Sequence, residues 1–187
     1  RDIGVTGVQT CALPISLADA IPAAERAVAA EQADPATARA EAERLAGHAV
    51  VFYGSGARAA AAVRLKNQVN ENAKAAAWAA AMPEMAHNEI LGWLGCARHG
   101  IPAAAVFLRD ADEGDAPSAL HDRLRDLVAG DVATVLEWHG AGADELERTL
   151  ALLVHGDVVS CHLAESEGVD PMDIARLTAL KAPPATG

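Results

Sequence analysis

From Leu17 onward, apolar residues recur at helical spacing in some segments and form short unbroken runs in others, and the two patterns alternate along the chain. Residues 17–31, rich in Ala, Glu and Arg, predict a helix. Asp34-Pro35 reads as an N-cap followed by proline at the first helical position, opening a second helix to about Ala46 that Gly47 stops. The run from His48 to Tyr53 is short, apolar and followed by Gly54, which predicts a buried strand. Gly54-Ser55-Gly56 then makes a tight turn into a long helix from Ala57 to about Lys74. Pro83 interrupts the next segment, and another helix starts near His87. Residues 102–108 and 131–138 predict two more strands, separated by a helix over 117–129 and followed by helices over 143–167 and 173–181. Strands spaced by helices imply an α/β fold, a three-layer αβα sandwich of flavodoxin-like type with a parallel sheet covered on both faces. Ligands of such sheets collect at the carboxyl ends of the strands, where Tyr53-Gly54-Ser55-Gly56 would sit.

Residues 1–16, RDIGVTGVQTCALPIS, carry neither pattern. They lack the basic start and long apolar middle of a secretory signal. The string resembles translated sequencing-adaptor read-through, in which case the coding sequence begins mid-protein near Leu17. The other reading is a genuine, poorly ordered arm, and on either reading the segment stands outside the fold.

Composition narrows the function classes. Hydrophobic residues make up 51 % of the 187 positions but aromatics only 3 %, so the expected core is closely packed Ala, Val and Leu. No apolar run approaches the roughly 20 residues of a membrane span. A formal net charge of −11 argues against a nucleic-acid partner, which needs a basic patch. Most of the acid falls in 110–126 and 137–147, segments that read as solvated helix faces and loops. Cys11, Cys96 and Cys161 form no CxxC pair and no metal spacing with histidine, which suits unpaired thiols in a reduced, cytoplasmic compartment.

The segment KNQVNENAK (66–74) is the richest in candidate chemistry. On a helix Asn67, Asn70, Glu71 and Lys74 share one face. Ordinary solvated faces favour Glu, Lys, Arg and Gln, whereas asparagines are mediocre helix formers, so an amide-rich stripe points to hydrogen bonding. His87 follows a proline-bearing loop and can titrate near neutrality, although a lone histidine is more often structural. Glu89 is more simply a helix-start residue favoured by the dipole. The other six histidines show no partner pattern, and neither HxH nor HExxH is present. Gly54-Ser55-Gly56 has a backbone that can approach a ligand closely, but no Gly-Lys-Ser/Thr follows it, so it is not a Walker loop.

The ordered set VVFYGSG (50–56), RLKNQVNENAK (64–74), MPEMAHNEILGW (82–93), VFLRD (106–110), a Gly-Asp turn in the helix at 156–157 and GVDPMDIARLTALK (168–181) resembles the bifunctional phosphoglucose/phosphomannose isomerases of the sugar-isomerase (SIS) superfamily. The resemblance covers residues 17–181 and matches the second of two SIS-type halves. It implies that 17–46 lead in from a preceding half and that 47–187 form the carboxyl-terminal SIS domain. It also implies aldose–ketose isomerisation of glucose 6-phosphate and fructose 6-phosphate through a cis-enediol, in a homodimer and without metal, nucleotide or other cofactor.

By the same resemblance Glu71 is the base between C1 and C2. His87, donated across the dimer interface, and Lys181 serve ring opening. Asn67 and Asn70 would orient Glu71, and Ser55 would contact substrate. The half that carries the family's phosphate-binding Ser/Thr loop is not matched. Met172 stands where relatives commonly have Thr, which puts the mannose 6-phosphate activity in doubt more than the glucose activity. The rival reading is a non-catalytic SIS module that binds a sugar phosphate, regulates a partner or dimerises.

Overall fold

The computed structural model describes residues 17–181; the 1–16 segment lies outside the described residues. Two helices lead, α1 (Leu17–Ala33) and α2 (Pro35–Leu45). Then come β1 (Ala49–Gly54), α3 (Ala57–Asn72), β2 (Ala77–Ala81), a 3₁₀ turn (Glu84–His87), α4 (Glu89–His99) and β3 (Ala103–Arg109). The chain continues through α5 (Asp115–Ala129), β4 (Thr134–His139), α6 (Glu145–Glu167) and α7 (Ala175–Lys181). All strand pairs are parallel and the sheet order is β2-β1-β3-β4. This is the expected α/β sandwich, with four strands where the pattern predicted three.

Strand alternation divides the core. Val50, Phe52, Ala104, Val106, Leu108, Leu136 and Trp138 face α2, α3 and α6. Val51, Tyr53, Ala103, Ala105 and Phe107 face α4 and α5. Of the six aromatic residues only Trp78 is exposed, so the few rings present are spent on the interior. Among the described residues no helix is long and apolar enough to cross a membrane.

Two sequence expectations need correction. The predicted helix to Lys74 ends at Asn72, and Lys74 takes a φ of +53°. The Gly-Asp pair at 156–157 lies inside α6, within the helix expected over 143–167. A Cβ at Gly156 would come within 2.1 Å of Leu65 Cδ2 and 3.2 Å of Trp138 Cζ3, so this glycine serves close approach of α6 to α3 and the sheet. Ala38, Ala42 and Leu45 of α2 are fully buried in the same core as the sheet. The acid near 110–126 is not all solvated, since the side chains of Asp110 and Glu113 are buried against arginines.

Two histidines without a sequence partner acquire carboxylates in the fold. His121 Nδ1 lies 2.9 Å from Glu113. His155 Nδ1 lies 3.0 Å from Glu31 on α1, and Nε2 lies 2.6 Å from Glu41 on α2. With a carboxylate at each ring nitrogen, the imidazolium is the form that donates both bonds. Burial alone would lower the His155 pKa, but the Glu41 hydrogen bond and the charges of Glu31 and Glu41 outweigh it and the net shift is upward.

A raised pKa means that this contribution is fully present below about pH 6.5 and is lost as pH climbs through the folded value. The expected result is a denaturant midpoint that falls between pH 6 and pH 9. The fall should shrink in His155→Gln; an identical pH dependence in that variant would remove His155 as its source.

Candidate active site

The last two turns of α3 carry Asn67, Asn70 and Glu71 toward solvent, while Leu65 and Val69 on the opposite face enter the core. Beyond the helix end the chain reverses through Lys74, whose positive φ turns its side chain back along α3. Lys74 Nζ donates to the Glu71 carbonyl at 2.7 Å and to the Pro171 carbonyl at 3.1 Å. The ammonium thus caps orphan carbonyls at the negative end of α3 and fastens that end to the loop before α7. Asn70 Nδ2 donates to the Ala75 carbonyl at 2.9 Å, which shapes the connection into β2. Asn72 Nδ2 reaches Ser160 Oγ on α6 at 2.8 Å.

Residues 173–177 form the facing wall. Asp170 Oδ1 accepts from Met172 N at 2.8 Å and Asp173 Oδ1 accepts from Ala175 N at 2.9 Å, two local turns that aim α7 across the end of α3. Between the walls lies a cavity of about 510 Å³, lined by Asn67, Asn70, Glu71 and Lys74 on one side and by Asp173, Ile174, Arg176 and Leu177 on the other. It offers one carboxylate from α3 beside amide donors, with a cation on each wall. That set can accept a proton and hold a polyhydroxy or anionic ligand.

The remaining candidates lie elsewhere. In a right-handed βαβ unit the helix runs back against the strands, so α3 begins at the carboxyl edge of the sheet and ends at the amino edge. Its 16 residues separate the two ends by about 24 Å. Ser55, before α3, therefore does not share the Glu71 cavity within one chain, and the expected ligand position beside 53–56 is at the other edge. Ser55 instead lines a second cavity of about 410 Å³ with Met82, Pro83, Glu113 and His121. His87 ends the 3₁₀ turn that follows β2, also at the carboxyl edge, and is exposed. Lys181 closes α7, four residues and so one helical turn beyond Leu177.

Glu89 proves to be more than a helix-start residue. It is the first residue of α4, and its Oε1 accepts from the buried Tyr53 hydroxyl at 2.7 Å. Trp93 Nε1 donates to the same hydroxyl at 3.0 Å. Burial first, and Glu89 second, push the Tyr53 phenol well above its ordinary range, so it remains a neutral donor. This triad fixes the start of α4 against β1, and with it the position of His87 two residues earlier. The sequence pattern missed Lys74 as a tether and Asp173 and Arg176 as a wall; only the GVDPMD string hinted at the latter. Among the described residues no group of three or more His, Cys, Asp or Glu side chains is arranged to hold a metal ion.

Known proteins are similar to this chain in sequence and in fold. The bifunctional phosphoglucose/phosphomannose isomerase of Aquifex aeolicus (strain VF5) is 34 % identical over 149 residues, spanning 75 % of this chain and 43 % of the relative. That of Caldicellulosiruptor bescii is 32 % identical over 133 residues, spanning 70 % and 39 %. The chain thus spans about two-fifths of the length of the curated relatives it matches. In fold it is similar to a glucose-6-phosphate isomerase like protein from Thermus thermophilus, with a TM-score of 0.60 at 22 % identity over 77 % of this chain and 46 % of that one. The C-terminal domain of glucosamine-fructose-6-phosphate aminotransferase from Francisella tularensis gives 0.59 at 15 % identity over 80 % and 44 %. Residues 35–183 match the family described as bacterial phospho-glucose isomerase C-terminal SIS domain, and the chain belongs to that family.

Proposed function

We propose that this chain supplies the proton-transferring half of a sugar-phosphate isomerase that interconverts glucose 6-phosphate and fructose 6-phosphate. The observation that carries the reading is the cavity in which Glu71 stands beside Asn67 and Asn70. Glu71 takes the proton from C2 of the open-chain aldose and returns it to C1 on the same face, through a cis-enediol. Asn67 and Asn70 hold the carboxylate and the substrate hydroxyls in register, and Lys74 fixes the helix end that carries them.

Ring opening needs a separate acid–base pair, which we assign to His87 and Lys181. In one chain His87 lies at the opposite edge of the sheet from Glu71, so its role requires a second copy of the chain that brings its His87 to this cavity. The cavity is also open to solvent on the Glu71 side, and chemistry through an enediol needs water excluded by another surface. Met172, 81 % exposed on the loop that Lys74 tethers, favours the glucose over the mannose epimer as substrate in this proposal. With Cys96 and Cys161 free, a reduced cytoplasmic setting suits it.

The test is deuterium incorporation at C2 of glucose 6-phosphate when fructose 6-phosphate is incubated in D₂O with a chain of the relatives' full length that includes this segment. Incorporation is the expected result. Saturable binding of the sugar phosphate with no exchange would instead identify a non-catalytic SIS module.

A further inference from the structure

The sheet order reverses between β1 and β3. In open parallel sheets the crevice beyond the carboxyl ends of the strands at that point is the usual ligand position. The backbone here resembles a phosphate cradle. A Cβ at Gly54 would lie 2.4 Å from the Arg58 carbonyl oxygen, and Gly56 takes a φ of +53°, so the 54–56 turn winds tightly into α3. Arg58 from the first turn of α3 and Arg148 from the first turn of α6 converge there, each only 7 % exposed. Between them stands Asp110, the first residue beyond β3, with a side chain 6 % exposed.

Asp110 Oδ2 pairs with Arg58 Nη2. Its Oδ1 lies 2.6 Å from Arg148 Nε without the alignment of a hydrogen bond. Both guanidinium groups are also held from the rim. Arg58 Nη1 donates to Thr149 Oγ1 at 3.1 Å and Nη2 to Glu145 at 3.3 Å, while Arg148 Nη2 donates to Asp112 at 2.6 Å.

We infer that Asp110 is an internal anion plugging this crevice, and that Arg58 and Arg148 form an oxyanion site that accepts a phosphate or carboxylate group once the Asp110 carboxylate is removed. Two buried cations facing one another require an anion between them, and a carboxylate attached to the chain occupies that place at a very high effective concentration. The rim contacts keep the arginines in position when the plug leaves. The unaligned Arg148 N–H is a donor that a tetrahedral anion can satisfy better than the carboxylate does. In the unaltered protein the crevice is therefore closed to phosphorylated ligands, and any phosphate group such a ligand carries is held elsewhere. This inference does not rest on the isomerase reading.

The experiment is Asp110→Ala, followed by thermal melts in inorganic phosphate and in sodium chloride of matched ionic strength. The variant is expected to lose stability in chloride and to recover at least half of the lost midpoint in phosphate, with saturation. The unaltered protein should gain only the general, non-saturating salt effect. Adding Arg148→Met should abolish the recovery. If Asp110→Ala does not fold in chloride, its refolding in phosphate becomes the readout. Failure in both salts, equal gains in variant and unaltered protein, or saturable phosphate binding at this crevice by the unaltered protein would each overturn the assignment.

Discussion

On the proposed reading, Glu71→Gln in a chain of the relatives' full length is expected to lower isomerase turnover by about 10²- to 10⁴-fold, the range contributed by a positioned general base. The substitution keeps shape and hydrogen-bonding capacity while removing the ability to take a proton at neutral pH. The Glu71 side chain is exposed, and the contact that organises the helix end uses its backbone carbonyl, which receives Lys74. Stability should therefore change by no more than about 0.5 kcal/mol, as for surface positions outside special contacts. The effect should fall on kcat with KM little altered, because proton abstraction is a transition-state interaction and the amide still binds hydroxyls. Steady-state kinetics alongside a denaturation curve separates these outcomes. Retention of more than a few per cent of the rate removes Glu71 as the base; loss of rate together with loss of folding would show that the helix end had been disturbed instead.

The stripe that holds Glu71 was legible because helical periodicity is a local property. Asn67, Asn70 and Glu71 sit on one face in the structure as their spacing implies. Lys74 joins them by another route, since the helix stops at Asn72 and the lysine returns to the cavity by its own backbone reversal. The wall at 173–177 was not legible. It arises about a hundred residues later, from a loop whose position depends on Lys74 reaching Pro171. The distance between Ser55 and Glu71 follows from the direction of α3 across the sheet, so a residue list that groups them loses information the βα topology supplies.

Strand recognition failed for the same kind of reason in reverse. β3 is buried at all seven positions and reads as a continuous apolar run. β2, AWAAA, contains no β-branched residue and lies at the sheet edge with only Ala77 buried, so alanine's helical preference masks it. Its pairing with β1 from Val50–Ala77 to Gly54–Ala81 decides the matter through tertiary contact. The charged interior was hidden too. Arg58 and Arg148 stand 90 positions apart, and nothing near either one marks it as buried.

Arg109→Met is expected to cost about 3–5 kcal/mol of stability, the penalty of breaking a buried ion pair from one side. Arg109 Nε donates to both oxygens of Glu113 at 3.1 and 3.2 Å, Nη1 to Asp122 at 2.9 Å and Glu137 at 2.5 Å, and Nη2 to Ser118 at 3.0 Å. Burial alone would lower its pKa, but the hydrogen bonds to Glu113, Asp122 and Glu137 raise it on balance, so it stays cationic wherever the fold survives.

Methionine fills similar volume, so the loss measures mainly the orphaned carboxylates. Glu113, 5 % exposed, would keep the Asp110 amide at 2.8 Å and His121 as partners but lose its cation. One check follows from that cause. Adding Glu113→Gln to Arg109→Met should recover part of the loss, with a coupling of about 0.5–3 kcal/mol. Urea unfolding curves for the single and double variants at pH 7 test it. A loss below about 1 kcal/mol, typical of exposed pairs, would mean that water already shares this network. The plug at Asp110, one residue further along the chain, would then have to be held by Arg58 and Arg148 alone.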